Sequence, residues 1–325
     1  MEHDFIKPKI MISRCVEFEP CRWNGDMIHS FYIQRLKSFA EFIPVCPEFD
    51  IGLGVPRNPV RLIKKGKNLH LIQSVTEADF TEKMKQYAQK VCEENCDADA
   101  LILKEKSPSC GTGNVKIYPG PGKVSPLSGD GIGIFADIAL KFFPSIPVIH
   151  EGKFNDLKWR EHFYIQIFTL ASFRKLSKAP DVRSVMAFQE RNKLLFMAYH
   201  QRLMREMGRL AAGMNSTNFQ KSFAEYEKYL RELLCRPPKP VSHINVLMHA
   251  LGYFSDRLHT LEKQFFLNSL EMFREERIDL SSCLAVMHSW ILRFNQPYLK
   301  NQSYFQPFPI ELLNVRDSAK AKLRL

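Results

Sequence analysis

The sequence lacks the features of a membrane or secreted protein. It contains no apolar run approaching the roughly 18 to 20 residues that a membrane-spanning helix needs. Its first residues, MEHDFIKPKI, lack the apolar core of a secretory signal peptide. Eight cysteines in 325 residues are too few for a disulfide scaffold. We therefore expect a cytoplasmic protein whose cysteines are buried thiols, metal ligands or reactive groups.

The first half of the chain has almost no net charge, and the net positive charge lies in the second half. Residues 1–150 contain 19 lysines and arginines against 18 acidic residues, whereas residues 151–325 contain 27 against 17. The formal charges are therefore +1 and +10. A basic half indicates a polyanionic partner, with RNA or DNA the first choice. The alternative is a basic surface without a specific partner.

The N-terminal half alternates short apolar runs with amphipathic segments. Strands are predicted at 9–13, 42–45, 99–104 and 146–150, and helices at 76–94 and 131–143. Such alternation is typical of an α/β domain with a mostly parallel sheet.

The C-terminal half consists of long segments of helical period with no strand signal. Helices are predicted at 182–211, 217–234, 242–254 and 258–276. We expect an all-α domain that ends in a segment rich in proline and aromatic residues. The aromatic residues of that segment either pack against the helices or stack on bases; they are Tyr298, Tyr304, Phe305 and Phe308. The two domains are predicted to span residues 1–152 and 153–325.

Three cysteines follow predicted strands of the N-terminal half. Cys15 comes two residues after the first strand, Cys46 directly follows the second, and Cys110 lies beyond the third. The carboxyl ends of parallel strands share one edge of a sheet, where ligands bind. These cysteines, distant in sequence, are therefore expected to converge.

The loops that carry these cysteines have the composition of a binding site. They read SRCVEFEPCRWNG, CPEFDIGLGVPRNP and SPSCGTG, and their glycines and prolines favour backbone turns near a ligand. Three thiolates suit a soft metal or an iron–sulfur cluster. Zinc is an alternative, although its structural sites usually use close pairs such as C-x2-C, which are absent. Three unrelated buried thiols are the other alternative.

These three loops together resemble the thiouracil desulfidase family, over roughly residues 8 to 150. The resemblance implies a [4Fe-4S] cluster held by Cys15, Cys46 and Cys110, with one iron open to substrate. It also implies that Glu48 is the catalytic carboxylate and Ser107 the catalytic serine.

The second half resembles a YbgA-type C-terminal domain. The stretches that carry this resemblance read MAYHQRLMREMGRLAA, HINVLMHALGYFSDRLHTLEK and YLKNQSYFQPFPIELL. The fused arrangement is similar to bacterial tRNA 4-thiouridine desulfidases, which return 4-thiouridine in RNA to uridine.

The resemblance implies non-redox desulfuration of 4-thiouridine in tRNA, with the open iron binding the substrate sulfur. Glu48 would activate water, Ser107 would hydrogen-bond the substrate or relay a proton, and the basic domain would hold the tRNA. No protein partner and no membrane are implied. The alternatives are a desulfidase of free thiouracil or a thionucleoside, a non-catalytic iron–sulfur RNA-binding protein, and a zinc hydrolase.

Two further motifs have more than one interpretation. Cys21, six residues after Cys15, is a fourth thiolate, a resolving thiol or a packed side chain. We assign it no ligand role because the chemistry needs an open iron. GIGIFA at 131–136 matches the dinucleotide fingerprint G-x-G-x-x-A but lacks the preceding strand that the fingerprint requires. The helix that it opens could instead meet a substrate phosphate.

Overall fold

The structure is a computed structural model and describes residues 4–313 of the chain. These residues form two compact units. One unit contains residues 6–171 with 311–313, and the other contains residues 172–310 with 4–5. The chain passes between the units within a long helix, after the boundary predicted at 152/153.

Eight strands, all in the first unit, make up the described sheets. They are β1 (Lys9–Ser13), β2 (Glu41–Val45), β3 (Val60–Lys65), β4 (Asn68–Gln73), β5 (Ala100–Leu103), β6 (Val115–Tyr118), β7 (Ser128–Gly131) and β8 (Val148–His150). The first sheet has the order β2-β1-β5-β8 and is parallel throughout. Its central strands, β1 and β5, are almost entirely buried, which explains their uninterrupted apolar sequences.

The second sheet has the order β4-β3-β6-β7 and is mixed. Strands β3 and β4 form an antiparallel hairpin, β3 and β6 are parallel, and β6 and β7 are antiparallel. The prediction of a mostly parallel sheet is confirmed for the first sheet and wrong for the second. Strand β7 has the sequence SGDG, with no apolar or β-branched side chain, so its pairing depends on its tertiary neighbours.

Three helices belong to the first unit: α1 (Phe31–Leu36), α2 (Thr81–Glu94) and α3 (Ile134–Phe142). Helices α2 and α3 contribute Met84, Ala88, Phe135 and Ala139 to a buried cluster with strand residues such as Leu101. The predicted start of α2 at residue 76 is wrong. The Phe80 amide still donates to the Leu71 carbonyl of β4, so helical bonding starts only afterwards.

The remaining helices are α4 (Leu157–Ser177), α5 (Val182–Gly213), α6 (Phe219–Leu233), α7 (Pro240–Leu251), α8 (Thr260–Arg274), α9 (Leu280–Arg293) and α10 (Pro297–Lys300). Helix α4 runs from the first unit into the second. The second unit contains no strand among the described residues, which confirms the prediction of a helical C-terminal region. Within residues 4–313, no helix combines the length and the apolar character that crossing a membrane requires.

Helix α5 is a hairpin of two arms. His200 has non-helical angles of φ −158° and ψ 97°. The Gln189 side-chain amide donates to the Met204 carbonyl at 3.1 Å, although 15 residues of straight helix would separate them by about 22 Å. The chain therefore reverses at His200, and the arms 182–199 and 201–213 lie side by side.

Candidate active site

The predicted convergence of the three cysteines is present in the structure. Strands β2, β1 and β5 are neighbours in the parallel sheet, so the loops after them meet at one edge. Cys15, Cys46 and Cys110 line a single cavity of about 330 Å³ at that edge. Glu48 and Ser107 line the same cavity. The structure therefore brings together all five residues that the sequence singles out.

Cys21 lies in the cavity as well. Its hydrogen bond with Cys15 raises the pKa of the Cys21 thiol to about 11, with a hydrogen bond to Cys46 opposing the rise and burial adding to it. The Cys46 sulfur lies 3.8 Å from the Cys21 backbone oxygen. The hydrogen bond with Cys21, followed by burial, also raises the pKa of Cys46. Four thiols therefore share this edge, and Cys21 lies between two of the predicted ligands.

Cys110 is buried to the same extent as Cys46. Burial raises the pKa of its thiol, while hydrogen bonds from the hydroxyls of Ser13 and Ser107 oppose that rise. The Ser107 hydroxyl oxygen also accepts from the backbone amides of Ser109 and Cys110, at 3.2 and 3.1 Å. Ser107 therefore shapes the turn that presents Cys110, in addition to lining the cavity.

Glu48 is held by hydrogen bonds at both carboxylate oxygens. Ser109 Oγ donates to Oε1 at 2.9 Å. Arg57 Nε donates to Oε2 at 2.9 Å, and Arg57 Nη2 lies 2.8 Å from the same oxygen. The side chains of Glu48 and Arg57 are only 12% and 4% exposed, and Ser109 is fully buried. The carboxylate is thus fixed in one orientation at the cavity wall.

Arg57 also connects two loops of the site. Its Nη1 donates to the backbone oxygens of Cys21 at 3.0 Å and Gly54 at 2.9 Å. The sequence analysis missed both Arg57 and Ser109. Their only signal was their position in the loops GLGVPRNP and SPSCGTG, where nothing in the sequence reveals which side chain turns towards Glu48.

The loop around Cys110 is anchored by the start of α3. The amides of Gly133, Ile134 and Ala136 donate to loop carbonyls of residues 111, 108 and 109, at 2.8, 3.1 and 3.0 Å. A Cβ at Gly133 would lie 2.4 Å from the Ser109 carbonyl oxygen, so the close approach requires glycine. The motif GIGIFA therefore supports the cysteine loop, and the amides proposed for a phosphate are occupied by it.

The chemistry of the donor set fits a polynuclear cluster. Four thiols on one cavity wall form a soft, sulfur-rich environment. Within the part of the chain that the structure describes, no group of three or more His, Cys, Asp or Glu side chains converges on a single-ion position. An iron–sulfur cluster does not require that convergence, because each thiolate binds a different iron.

Comparison with known proteins finds a match for each part of the chain. Residues 10–151 match the family model described as 2-thiouracil desulfurase. A Bacillus subtilis protein, uncharacterized protein YbbK, is 32% identical over 155 residues, which are 46% of this chain and 99% of that relative. The chain belongs to the 2-thiouracil desulfurase family. The resemblance found in the three cysteine loops is therefore confirmed.

Beyond the desulfurase range, residues 193–309 match a model of proteins of unknown function, DUF1722. Uncharacterized protein YbgA of Escherichia coli is 28% identical over 156 residues, 47% of this chain and 92% of that relative. A solved structure of the [4Fe-4S]-dependent thiouracil desulfidase TudS is 27% identical, covering 46% of this chain and 95% of TudS, with a TM-score of 0.37. The desulfurase range contains Cys15, Cys46, Glu48, Ser107 and Cys110, whose individual roles stay predictions.

Proposed function

We propose that this protein is a [4Fe-4S]-dependent desulfidase that converts 4-thiouridine in tRNA to uridine. The observation that carries the proposal is the shared cavity, in which the thiols of a desulfurase family member face a rigidly held carboxylate. In the reaction the carbon–sulfur bond at C4 of the base breaks and a carbon–oxygen bond to water forms. Both protons of water leave with the sulfur as hydrogen sulfide, so no oxidant or reductant is needed.

Cys15, Cys46 and Cys110 would hold the cluster. When bound, the cluster supplies a Lewis-acidic iron for the thiocarbonyl sulfur. The family resemblance selects these three thiols, and their common cavity supports that choice. Cys21 has no ligand role in the proposal, because a fourth protein thiolate would occupy the iron that faces the substrate.

Glu48 positions the attacking water and accepts its proton. Oε1 receives one protein hydrogen bond, from Ser109, and keeps a second lone pair for water, whereas Oε2 lies within 2.9 Å of two Arg57 nitrogens. Arg57 and Ser109 prevent the carboxylate from rotating, which reduces the orientational cost of the attack. The Ser107 hydroxyl, which hydrogen-bonds the Cys110 thiol in this structure, would turn to donate its proton to the substrate or towards the departing sulfur.

The mouth of the cavity supports recognition of a nucleotide. Trp23 lines the cavity and is 49% exposed, so its ring is available for stacking on a base. Arg22 and Lys106 line the same cavity and pair only at 3.7 and 3.6 Å with Asp26 and Glu105, so either cation could turn to a phosphate. A base in a structured RNA reaches such a cavity after leaving its stack.

Two observations bear on the size of the substrate. The charge of +10 on residues 151–325 favours RNA over a free base, because a small neutral base has no phosphates to attract. The family description favours free thiouracil, which is therefore the second candidate substrate.

The test uses protein purified and reconstituted with iron and sulfide under anaerobic conditions. Sulfide release is measured with tRNA containing 4-thiouridine and, separately, with free 4-thiouracil. We expect release from tRNA by the wild type and a loss of at least about 100-fold in Glu48→Gln, the usual size of a general-base effect. Iron content should be equal in both proteins. Free 2-thiouracil, the base in the family description, is assayed beside them. Release only from a free base would favour the second candidate, and an intact cluster with no release from any of the three substrates would refute a desulfidase.

A further inference from the structure

The Asp50 carboxylate joins three parts of the first unit. Its Oδ2 atom accepts from Arg14 Nη2 at 3.0 Å and from the Tyr87 hydroxyl, and it lies 3.4 Å from the Cys46 amide nitrogen. Arg14 directly precedes Cys15, Asp50 belongs to the turn after Cys46, and Tyr87 belongs to α2. The described lining of the cavity includes none of these three polar side chains, so the proposed reaction does not use them.

The ion pair of Arg14 and Asp50 fixes two of the cysteine loops to each other. Both side chains are mostly buried, with exposed fractions of 18% and 20%. The Arg14 amide donates to the Val45 carbonyl at 2.8 Å, and the Asp50 amide donates to the Cys46 carbonyl at 2.9 Å. The ion pair therefore connects two turns whose backbones are already ordered. A charge-assisted hydrogen bond in such a setting is stronger than one between side chains that are free in solvent.

Tyr87 extends this connection towards the third cysteine loop. Burial, followed by the hydrogen bond and charge of Asp50, raises the pKa of the Tyr87 hydroxyl, so the hydroxyl remains a proton donor. The Tyr87 ring lies beside the ring of Phe135, with centroids 6.2 Å apart. Phe135 belongs to α3, whose first amides hold the loop of Cys110. The contacts of Asp50 thus support the loops of all three candidate ligands.

Arg14 also brings a permanent positive charge close to Cys46. Burial acts to lower the pKa of Arg14, but the Asp50 carboxylate beside it raises that pKa above its ordinary value. Glu19 and the Cys46 sulfur add to the rise, so the guanidinium lies within electrostatic reach of that sulfur. Net charge near an iron–sulfur cluster sets its reduction potential. Arg14 and Asp50 carry opposite charges, so removal of one or the other should shift the potential in opposite directions.

We propose that Arg14 is a positioning residue of the cluster site, which clamps the Cys15 loop to the Cys46 loop and raises the reduction potential of the cluster. The inference rests on the part of the proposed function that places a [4Fe-4S] cluster on these cysteines. Desulfuration needs a cluster that keeps its electrons while iron binds sulfur. A positive charge fixed beside Cys46 opposes their loss.

The test of the charge is an anaerobic redox titration of full-length, cluster-loaded protein. Dithionite is the reductant, and electron paramagnetic resonance follows the reduced cluster. Arg14→Gln should lower the midpoint potential by at least about 28 mV, which is a threefold change in the one-electron equilibrium constant. Arg14→Lys keeps the charge and should restore most of that shift. Asp50→Asn removes a negative charge and should raise the potential.

The matched control is Lys9→Gln. Lys9 lies at the opposite end of β1, about 16 Å of extended strand from Arg14, and it also pairs with an aspartate, Asp97. Its substitution should leave the midpoint potential at the wild-type value. A shift in Arg14→Gln no larger than that in Lys9→Gln would overturn the inference. If Arg14→Gln binds no iron, Asp50→Asn decides, and a potential that stays constant or falls in that variant overturns the inference.

Iron release measures the clamp separately from the charge. Ferrozine in excess traps iron that leaves the protein under anaerobic conditions. Arg14→Lys, Asp50→Asn and Tyr87→Phe each remove a hydrogen bond or weaken one, and each should release iron at least about threefold faster than the wild type. Tyr87→Phe changes no charge, so its potential should stay near the wild-type value. Release at the wild-type rate from all three variants would overturn the clamp.

The inference and the proposed function can fail separately. If the wild type releases sulfide from a thiolated substrate, but Arg14→Gln keeps the wild-type potential and rate of iron release, the inference fails and the desulfidase stands. If the variants behave as expected and no substrate loses sulfur, the inference stands and the desulfidase is refuted. A wild-type protein that binds no cluster after reconstitution would overturn both.

Discussion

At the scale of single residues, the site depends on how Glu48 is held. A carboxylate that activates water needs a fixed direction, and Arg57 and Ser109 provide it through three contacts of 2.8 to 2.9 Å. Arg57 is a positioning residue, because it acts on the substrate only through Glu48. Its guanidinium cannot be replaced by an ammonium group that binds at a single point.

Arg57→Lys should therefore reduce turnover while the protein retains its cluster. Loss of a charged, partly buried hydrogen-bond set costs about 1–3 kcal/mol, which corresponds to roughly a five- to 150-fold reduction in kcat. The prediction is checked by measuring kcat, KM and iron content for each variant. Arg61→Lys is the control, because Arg61 does not line the cavity. An unchanged kcat, or equal effects of the two substitutions, would contradict the positioning role.

The four cavity thiols give a second prediction. Cys15→Ser, Cys46→Ser and Cys110→Ser should each lower the iron bound per chain, because serine is a poor ligand for iron in a cluster. Cys21→Ser should keep its iron, and the exposed Cys96→Ser provides the matched control. Loss of iron from Cys21→Ser as severe as that from Cys15→Ser would show four protein ligands and remove the open iron from the mechanism.

The cysteines could be predicted from sequence, whereas the residues that hold Glu48 could not. Cys15, Cys46 and Cys110 follow strands, so the topology of a parallel sheet brings them together before any loop conformation is known. The contacts of Arg57 and Ser109 depend on side-chain directions within loops. Composition identifies such loops as turns but does not give the orientation of each residue.

At the scale of elements, the start of α3 holds the cysteine loop in place. Its first amides donate to carbonyls of residues 108, 109 and 111, and Gly133 allows the two backbones to touch. The loop between Ser107 and Gly111 thereby gains a rigid support from an element distant in sequence. The glycine in GIGIFA is explained by this packing.

Gly133 does not line the cavity, but Gly133→Ala should still disturb the loop that carries Cys110. The added methyl group would lie 2.4 Å from the Ser109 carbonyl oxygen, and such overpacking costs about 1–3 kcal/mol. We expect a lower midpoint of denaturant unfolding together with reduced iron retention. Gly129→Ala is the control, because nothing lies within 4 Å of a Cβ there. Equal stability of the two variants would show that α3 does not support the loop.

Element prediction succeeded where local sequence and burial agree. The apolar runs KIMIS and ALIL form buried parallel strands, as predicted. In the second sheet, β7 has the sequence SGDG and no intrinsic strand preference, whereas the apolar hairpin of β3 and β4 (VRLIKK and NLHLIQ) is a strand signal in the sequence that was missed. The reversal at His200 escaped too, because the segment 182–211 has a continuous helical period and no glycine or proline at the turn.

At the scale of the whole molecule, the two halves of the chain differ in net charge. The division was predicted because strands and helices alternate in the nearly neutral first half, whereas the basic second half has only helical segments. One family model matches residues 10–151 and the other matches residues 193–309. We propose that the first half carries out the chemistry and that the second attracts RNA. Attraction of a polyanion depends strongly on salt, whereas capture of a neutral base does not.

The two candidate substrates should therefore respond differently to salt. Raising the salt fourfold, from about 0.05 to about 0.2 M, should increase KM for thiolated tRNA by at least about sevenfold if two or more phosphates are contacted, with little change for free 4-thiouracil. Parallel kinetics on the same enzyme preparation measure this. Equal responses of the two substrates would contradict the assignment of RNA attraction to the basic half.

The central claim is tested most directly by one time course with anaerobically reconstituted protein and tRNA that contains 4-thiouridine. The measurement follows the thiocarbonyl absorbance of the tRNA and the released sulfide together. The account predicts that both change in a one-to-one ratio, that uridine appears in the tRNA, and that Cys110→Ala and Glu48→Ala abolish the reaction. An unchanged absorbance in the presence of an intact cluster would contradict it.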